Sequence, residues 1–388
     1  MKSVLDTDIS NKRVLLRVDF NVPLDEQGKI LDDFKIIATL PTIKYLVDKE
    51  AKIVLMSHLG KPGGKFDPKY SLSPVRKRLA DYLNLPVQFS SDCLGSEAEN
   101  MAATLAPGQL LMLENLRFHV QEESNDTVFA QNLAKLAEIY VNDAFAECHR
   151  DYASMTTITK FLPSYGGLLL KKEIANLSRV RDNPEHPLVV IIGGAIISTK
   201  IKLIQSFLGK AQDIILGGAL ANTVLRAKGI AVGRSLIEEA MIEEVKKMEI
   251  TDTKLHLPVD AILCADKQTP GTCRTGPIGK TQPQELILDI GPDSEKLFAQ
   301  IIFQAKMVVW NGPVGLFETD AFAHGTQAVA QAIAESSAFS IVGGGETVAY
   351  LEKIGLVDKF SFVSTGGGAM LEFLSGESLP GLEALERN

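Results

Sequence analysis

Cationic, amide and acidic side chains gather just past four apolar runs in the first half of the chain. They are Arg17-Val-Asp19-Phe-Asn21, Ser57-His58-Leu-Gly60-Lys61, Glu114-Asn115-Leu-Arg117, and Asn142-Asp143 leading to His149-Arg150. In open parallel sheets the carboxyl ends of the strands line the ligand crevice, so groups at successive strand ends meet in space. A lone arginine at a strand end is ordinarily a solvated charge. Four such positions carrying His58, Lys61, Arg117 and Arg150 suit a small phosphorylated acid instead, with arginine supplying the planar fork that matches phosphate and carboxylate.

The second half carries different chemistry. Four β-branched runs lead straight into glycine clusters and then into helical patterns, at 188–200, 213–223, 339–349 and 360–370. A buried parallel strand is a continuous apolar run, and glycine at its end lets backbone N–H groups approach an anion at the next helix N-terminus. The pattern is that of a nucleotide-binding edge. Two standard fingerprints nevertheless fail. A P-loop needs glycine five positions before Gly279, where Arg274 stands, and a dinucleotide G-x-G-x-x-G starting at Gly343 meets Val348. The second failure also argues against an NAD-dependent dehydrogenase.

The elements needed to hold these groups are legible in outline. Strands are expected at 14–18, 53–57, 110–113 and 139–142, a helix on the spacing of Ile36, Ile37, Leu40, Ile43 and Val47, and a helix start at Ser73-Pro74. Further helices are expected at 198–208, with Ser198 as its cap, at 235–248 behind a Ser235/Glu238 capping box, at 293–305 and at 320–335. Residues 266–284 are polar and turn-rich and are expected to form a surface excursion. Alternation of this kind implies an α/β fold of two lobes, each a doubly wound parallel sheet flanked by helices and joined by a hinge helix. The domains are set at 1–167 and 188–370, with a connection at 168–187 and a tail at 371–388 that packs back on the first domain.

Composition narrows the function. With 388 residues, 45% of them hydrophobic, the chain is long enough for two cores, and a net charge of −8 disfavours a nucleic-acid surface. Neither a membrane span nor a secretory signal is expected. The four cysteines, without a C-x-x-C, are expected to be inert thiols of a cytoplasmic protein. His119, His149, His186, His256 and His324 lack metal-ligand spacing and are expected to be structural or surface groups, with no metal cluster among them.

An anion site on one lobe and a nucleotide edge on the other describe a phosphotransferase. At the level of motifs, RVDFNVP (17–23), LMSHLGKP (55–62), LLMLENLRF (110–118), WNGPVGLFE (310–318), SIVGGGE (340–346) and STGGGAMLE (364–372) closely resemble phosphoglycerate kinase, in the right order over nearly the whole chain. The resemblance implies a magnesium-dependent, monomeric cytoplasmic enzyme of glycolysis or gluconeogenesis that transfers phosphoryl between ATP/ADP and 3-phosphoglycerate, its lobes closing about a hinge near Gly166 and Gly167. It implies a phosphoglycerate site of Asp19, Phe20, Asn21, Lys35, His58, Leu59, Gly60, Lys61, Arg117 and Arg150. It implies a nucleotide site of Gly193, Lys200, Gly217, Gly218, Ala219, Gly291, Asn311, Pro313, Glu318, Gly343, Gly344, Gly345 and Glu346, with Glu346 toward the metal and Lys35, Lys200 and Gly367 at the chemistry.

The chain departs from the family pattern where the chemistry belongs. A catalytic lysine position is Ile196, an expected arginine is Lys35, a second clamp arginine is Lys61, and the acid of the phosphate loop is Glu346, one methylene longer than usual. Arg to Lys keeps the charge but loses the fork, whereas Ile196 supplies no charge at all. Two readings follow: a working phosphoglycerate kinase, at full or reduced rate, or a catalytically weak homologue that binds its ligands in a regulatory or structural role.

Overall fold

The computed structural model describes residues 1–248 and 253–387. The chain forms two compact units, Met1–Ala175 with Ser378–Asn388, and Asn176–Glu377. The division falls inside the helix Leu168–Asp182 rather than around it.

The first unit is built on a parallel sheet of β1 (Arg13–Arg17), β2 (Lys52–Met56), β3 (Val87–Phe89), β4 (Leu110–Met112), β5 (Ile139–Asn142) and β6 (Ser164–Gly166), in the order β3-β4-β2-β1-β5-β6. Residues Val14 to Leu16 and Ile53 to Met56 are wholly buried because helices cover both faces of the sheet. Helix Phe34–Asp48 buries Ile36, Ile43 and Leu46 on one side, and helix Ser73–Leu83 buries Val75 and Leu79, all in one core with Val14, Leu16, Ile53 and Leu55. Since every pairing is parallel, the carboxyl ends of β1, β2, β4 and β5 share one edge.

The second unit repeats the plan with β7 (Leu188–Ile192), β8 (Asp213–Leu216), β9 (Leu255–His256), β13 (Met307–Asn311), β14 (Phe339–Gly343) and β15 (Phe362–Ser364), in the order β15-β14-β13-β7-β8-β9. Trp310 is fully buried, its indole N–H donating to the Gly312 carbonyl at 2.8 Å. A three-stranded antiparallel sheet, β11 (Arg274–Pro277), β10 (Asp260–Cys264) and β12 (Leu286–Ile290), lies within the same unit.

Several local expectations are corrected. The 266–284 segment is not merely an excursion, since β11 pairs with β10 and places Leu263 opposite Arg274. That antiparallel register brings the next residues face to face, and Cys264 and Cys273 form a disulfide with Cα atoms 4.4 Å apart. Only Cys93 and Cys148 remain as buried free thiols. Ser198 is no helix cap: it bonds Glu238 at 2.7 Å through its hydroxyl, and the helix starts at Ile201 with Lys200 in the cap position. Glu238 is thereby diverted from the expected capping box, Ser235 donates to Val232, and only short turns at Glu239–Met241 and Ile242–Lys246 form. Leu72, not Ser73, caps the helix that carries Pro74. No helix among the described residues is long and apolar enough to cross a membrane.

Candidate functional site

At the strand-end edge of the first unit, charge is concentrated in a dry environment. Arg17 closes β1 completely buried; its Nε donates to Ser154 Oγ at 2.9 Å, and its Nη2 lies 3.3 Å from His58 Nδ1. Ser154 in turn donates to Glu122 at 2.5 Å, so a buried carboxylate faces the buried guanidinium through one hydroxyl. A buried guanidinium is tolerated when it is hydrogen-bonded, as this one is to Ser154 Oγ and to the Val18 carbonyl.

Around that base stand the residues expected to meet substrate. Asp19 accepts from Lys35 Nζ at 2.6 Å and from the Asn21 N–H at 3.0 Å. Burial alone would raise its pKa, but the charge of the Lys35 ammonium and its hydrogen bond outweigh it and hold the carboxyl at about 2. Asn21 Oδ1 accepts the Gly60 N–H at 2.8 Å. Asn115 braces the neighbouring turn by donating to Leu59 O at 2.7 Å and accepting from the Arg117 N–H at 3.0 Å. Arg117 donates to Gly60 O at 3.1 Å and pairs with Glu147 at 3.0 Å and Glu123 at 3.1 Å. His58 is fully buried, which drives its pKa well below the usual value and keeps the ring neutral; its Nε2 makes no hydrogen bond among the described residues and lies 3.6 Å from Glu147.

The structure therefore brings together Asp19, Asn21, Lys35, His58, Gly60 and Arg117. Phe20 and Leu59 are core side chains, and what they offer the edge is backbone. Lys61 and Arg150 are exposed, Arg150 acting electrostatically on His149, whose pKa burial and then Arg150 lower to about 4. Arg17 is marked in the sequence only as one of the strand-end groups, and nothing there singles out Glu147, Glu122 or Ser154. Arginine at a strand end was the one available signal.

In the second unit a cavity of about 660 Å³ opens beside the glycine loops, lined by Gly194, Gly218, Ala219, Pro313, Glu318 and Glu346 with an apolar wall that includes Leu225, Leu236, Leu288 and Phe317. Lys200 is the group this loop system encloses. Its Nζ donates to Gly193 O at 2.5 Å, and a Cβ at Gly194 or Gly312 would stand 2.9 or 2.6 Å from that nitrogen. Glycine is required there because the ammonium occupies the space of a side chain. Burial pulls the Lys200 pKa down to about 8, with the charge of Glu346 opposing the shift.

The remaining residues of the expected nucleotide set build the frame. Gly217 abuts Val314, which lines the cavity, and Gly193 abuts the Pro313 carbonyl. Asn311 donates to Gly343 O at 2.9 Å, and Gly344 and Gly345 start helix Gly345–Lys353 with φ +101° at Gly344. Gly291 caps helix Pro292–Gln304, and Gly367 caps helix Gly368–Leu374 with φ +48°. Ile196 is 51% exposed, next to the lining residue Ala195. Asp289, unforeseen from sequence, also lines the cavity; burial raises its carboxyl to about 7 against the hydrogen bonds of the Gly325 and Ile290 N–H groups.

His119, expected as a structural or surface group, lies with its Nε2 2.7 Å from Asp92 Oδ1, and Cys93 places a further candidate ligand atom beside them.

An α/β unit with converging charges, together with a second whose glycine loops enclose a lysine, defines a two-unit α/β kinase architecture. The family model for phosphoglycerate kinase matches residues 4–377. Phosphoglycerate kinases of Koribacter versatilis and Desulfosudis oleivorans are 48% and 46% identical, covering 99% and 100% of this chain and 98% and 99% of their own lengths. Solved phosphoglycerate kinases of Coxiella burnetii and Pyrococcus horikoshii superpose with TM-scores of 0.86 and 0.88 at 40% and 34% identity, covering 99% and 100% of this chain and 98% of each structure. The chain belongs to the phosphoglycerate kinase family.

Proposed function

We infer that the protein is a phosphoglycerate kinase, catalysing reversible phosphoryl transfer between ATP and the carboxylate of 3-phosphoglycerate to give ADP and 1,3-bisphosphoglycerate. Family membership over essentially the whole chain carries this reading. The glycine-enclosed Lys200 supports it, because a partly desolvated ammonium at a cavity edge is suited to an anionic phosphate.

The first unit takes the phosphoglycerate. Asp19 and Asn21 orient it, while Arg117, His58, Lys61 and Arg150 receive its phosphate and carboxylate. The second unit takes the nucleotide, with the base against the apolar wall, the ribose toward Glu318, and the phosphates toward Lys200 and the loop at Gly343 to Gly345. A carboxylate oxygen of phosphoglycerate attacks the γ-phosphorus in line as the bond to the β-phosphate oxygen breaks and ADP leaves. Cations on the equatorial oxygens are the main stabilisers of such a transfer. Lys35 and Lys200 supply them, and Ile196 does not.

Magnesium fits the donor set. Glu346 is an exposed carboxylate on the cavity wall, and this ion is held by one or two carboxylates with substrate phosphates and water completing its shell. When bound, it neutralises phosphate charge. The cellular role proposed is glycolysis or gluconeogenesis, as a monomer in the cytoplasm. The test is a coupled assay with 3-phosphoglycerate and MgATP: turnover abolished by Lys200→Met and weakened in phosphoglycerate affinity by Arg117→Ala is expected, while nucleotide binding without turnover in the unaltered chain overturns the reading.

A further inference from the structure

Outside the kinase site, one cluster combines three different donor chemistries. Asp92 and Cys93 sit in the turn that follows β3, and His119 closes the short helical turn Leu116–Phe118. Their ligand atoms all lie within 4.8 Å of one another, with His119 Nε2 2.7 Å from Asp92 Oδ1. We propose that Asp92, Cys93 and His119 form a binding site for a borderline-soft divalent transition metal of the zinc class, separate from the magnesium-nucleotide chemistry of the kinase reaction.

The donor set decides the class of ion. Thiolate, imidazole and carboxylate are the ligands zinc takes, commonly three from the protein with water in the fourth position. Magnesium and calcium prefer oxygen alone and would leave Cys93 and His119 unused. Two of the donors are consecutive residues fixed by local geometry. Asp92 Oδ1 accepts the Cys93 N–H at 2.6 Å and the Leu94 N–H at 3.3 Å, a turn that points the carboxylate at His119 while Cys93 is carried into the interior. The imidazole leans on Phe129, ring centroids 5.5 Å apart at 45°, which restricts its orientation.

Access is also provided for. Asp92 and His119 keep 49% and 27% of their side-chain surface exposed, so an ion enters from solvent and meets the buried thiol last. Binding exchanges the thiol proton for the metal: the sulfur–hydrogen bond breaks, the sulfur–metal bond forms, and the proton goes to solvent. Thiolate and carboxylate together balance the two positive charges. Because His119 lies two residues beyond Arg117, a filled site ties the turn carrying that arginine to the segment after β3.

The experiment is a titration of chelator-treated, full-length protein with Co²⁺ as an optical stand-in for Zn²⁺. One equivalent is expected to bind, with a thiolate-to-cobalt charge-transfer band and the d–d absorption of a four-coordinate ion, both erased by added Zn²⁺. Cys93→Ser is expected to remove the charge-transfer band. His119→Gln and Asp92→Asn, both at partly exposed side chains, are each expected to lower Zn²⁺ affinity by about 100-fold with unchanged circular dichroism and kinase kcat. No charge-transfer band at saturating cobalt overturns the proposal. So does a band that survives Cys93→Ser, or Zn²⁺ affinity unaltered in both solvent-side variants.

Discussion

Lys200 gives the most quantitative handle on the proposed nucleotide site. Enclosure moves its pKa from the ordinary 10.5 to about 8, which corresponds to roughly 3.4 kcal/mol against the charged form. Phosphate oxygens placed beside the ammonium reverse that penalty and return the pKa to at least its ordinary value. The free site is then about nine-tenths protonated at pH 7 but only about one-tenth protonated at pH 9, while the occupied site is protonated at both. Nucleotide binding should therefore take up about 0.9 proton at pH 9 and about 0.1 at pH 7, and affinity should fall about tenfold between these values, or ~1.4 kcal/mol. Isothermal calorimetry in buffers of different ionisation enthalpy reads the uptake directly, and Lys200→Met supplies the background from every other titrating group. Equal uptake at pH 9 in the parent and in Lys200→Met would refute the reasoning, as would pH-independent affinity in the parent.

Other perturbations test other parts of the account. Ile196→Lys is expected to leave stability within about 0.5 kcal/mol, since the side chain is 51% exposed, and to raise kcat on the order of 10²-fold with little change in KM; a rise below about threefold with chemistry rate-limiting contradicts a missing cation. Arg117→Ala, which strips Glu147 of its 3.0 Å partner, is expected to weaken phosphoglycerate binding by about 2–5 kcal/mol in calorimetry and to leave nucleotide affinity unchanged; equal losses for both ligands defeat the two-site assignment. Asp143 is buried and raised from 3.8 to about 7, so the folded state binds more protons than the unfolded one, and the group's contribution, complete below pH 4, is lost as pH rises through 7. Asp143→Asn should thus gain stability over the parent between pH 4 and pH 8, by up to about 4 kcal/mol in urea unfolding; a difference that does not change with pH rules this out.

What could be read in advance follows from where the information lies along the chain. Strands such as Leu188–Ile192 are continuous buried runs ending at glycine, a signal contained within a dozen residues, and they were legible to within a residue or two. The antiparallel strand Arg274–Pro277 was not, because two of its residues are glycine and proline and its burial comes at Gly276 alone. Caps misled for a related reason. Ser198 and Glu238 each resemble half of a local capping device, but they bond to each other across 40 residues, and that long-range pair wins over both local options. The Cys264–Cys273 link likewise depends on a strand pairing that the residues between them do not announce.

The site divides along the same line. Glycine loops announce themselves because a required absence of Cβ leaves its mark in the sequence, and Lys200 follows them at a fixed short distance. The buried charges of the first unit do not, since whether Arg17 is a solvated cation or the floor of a site is decided by Ser154, 137 residues away, and by Glu122 beyond it. Sequence motifs point to the groups proposed to face a ligand, whereas the groups that fix their charge states lie on other elements. Asp19 is ionised because Lys35 stands 2.6 Å from it, and His58 is neutral because it has no exposed surface. The substitution of lysine for the expected arginine at position 35 is therefore more than a change in a phosphate contact. A guanidinium would spread its charge over a fork, while the single ammonium of Lys35 is committed to Asp19 until a substrate competes for it. In the site proposed above, substrate binding therefore competes with Asp19 for that one cation.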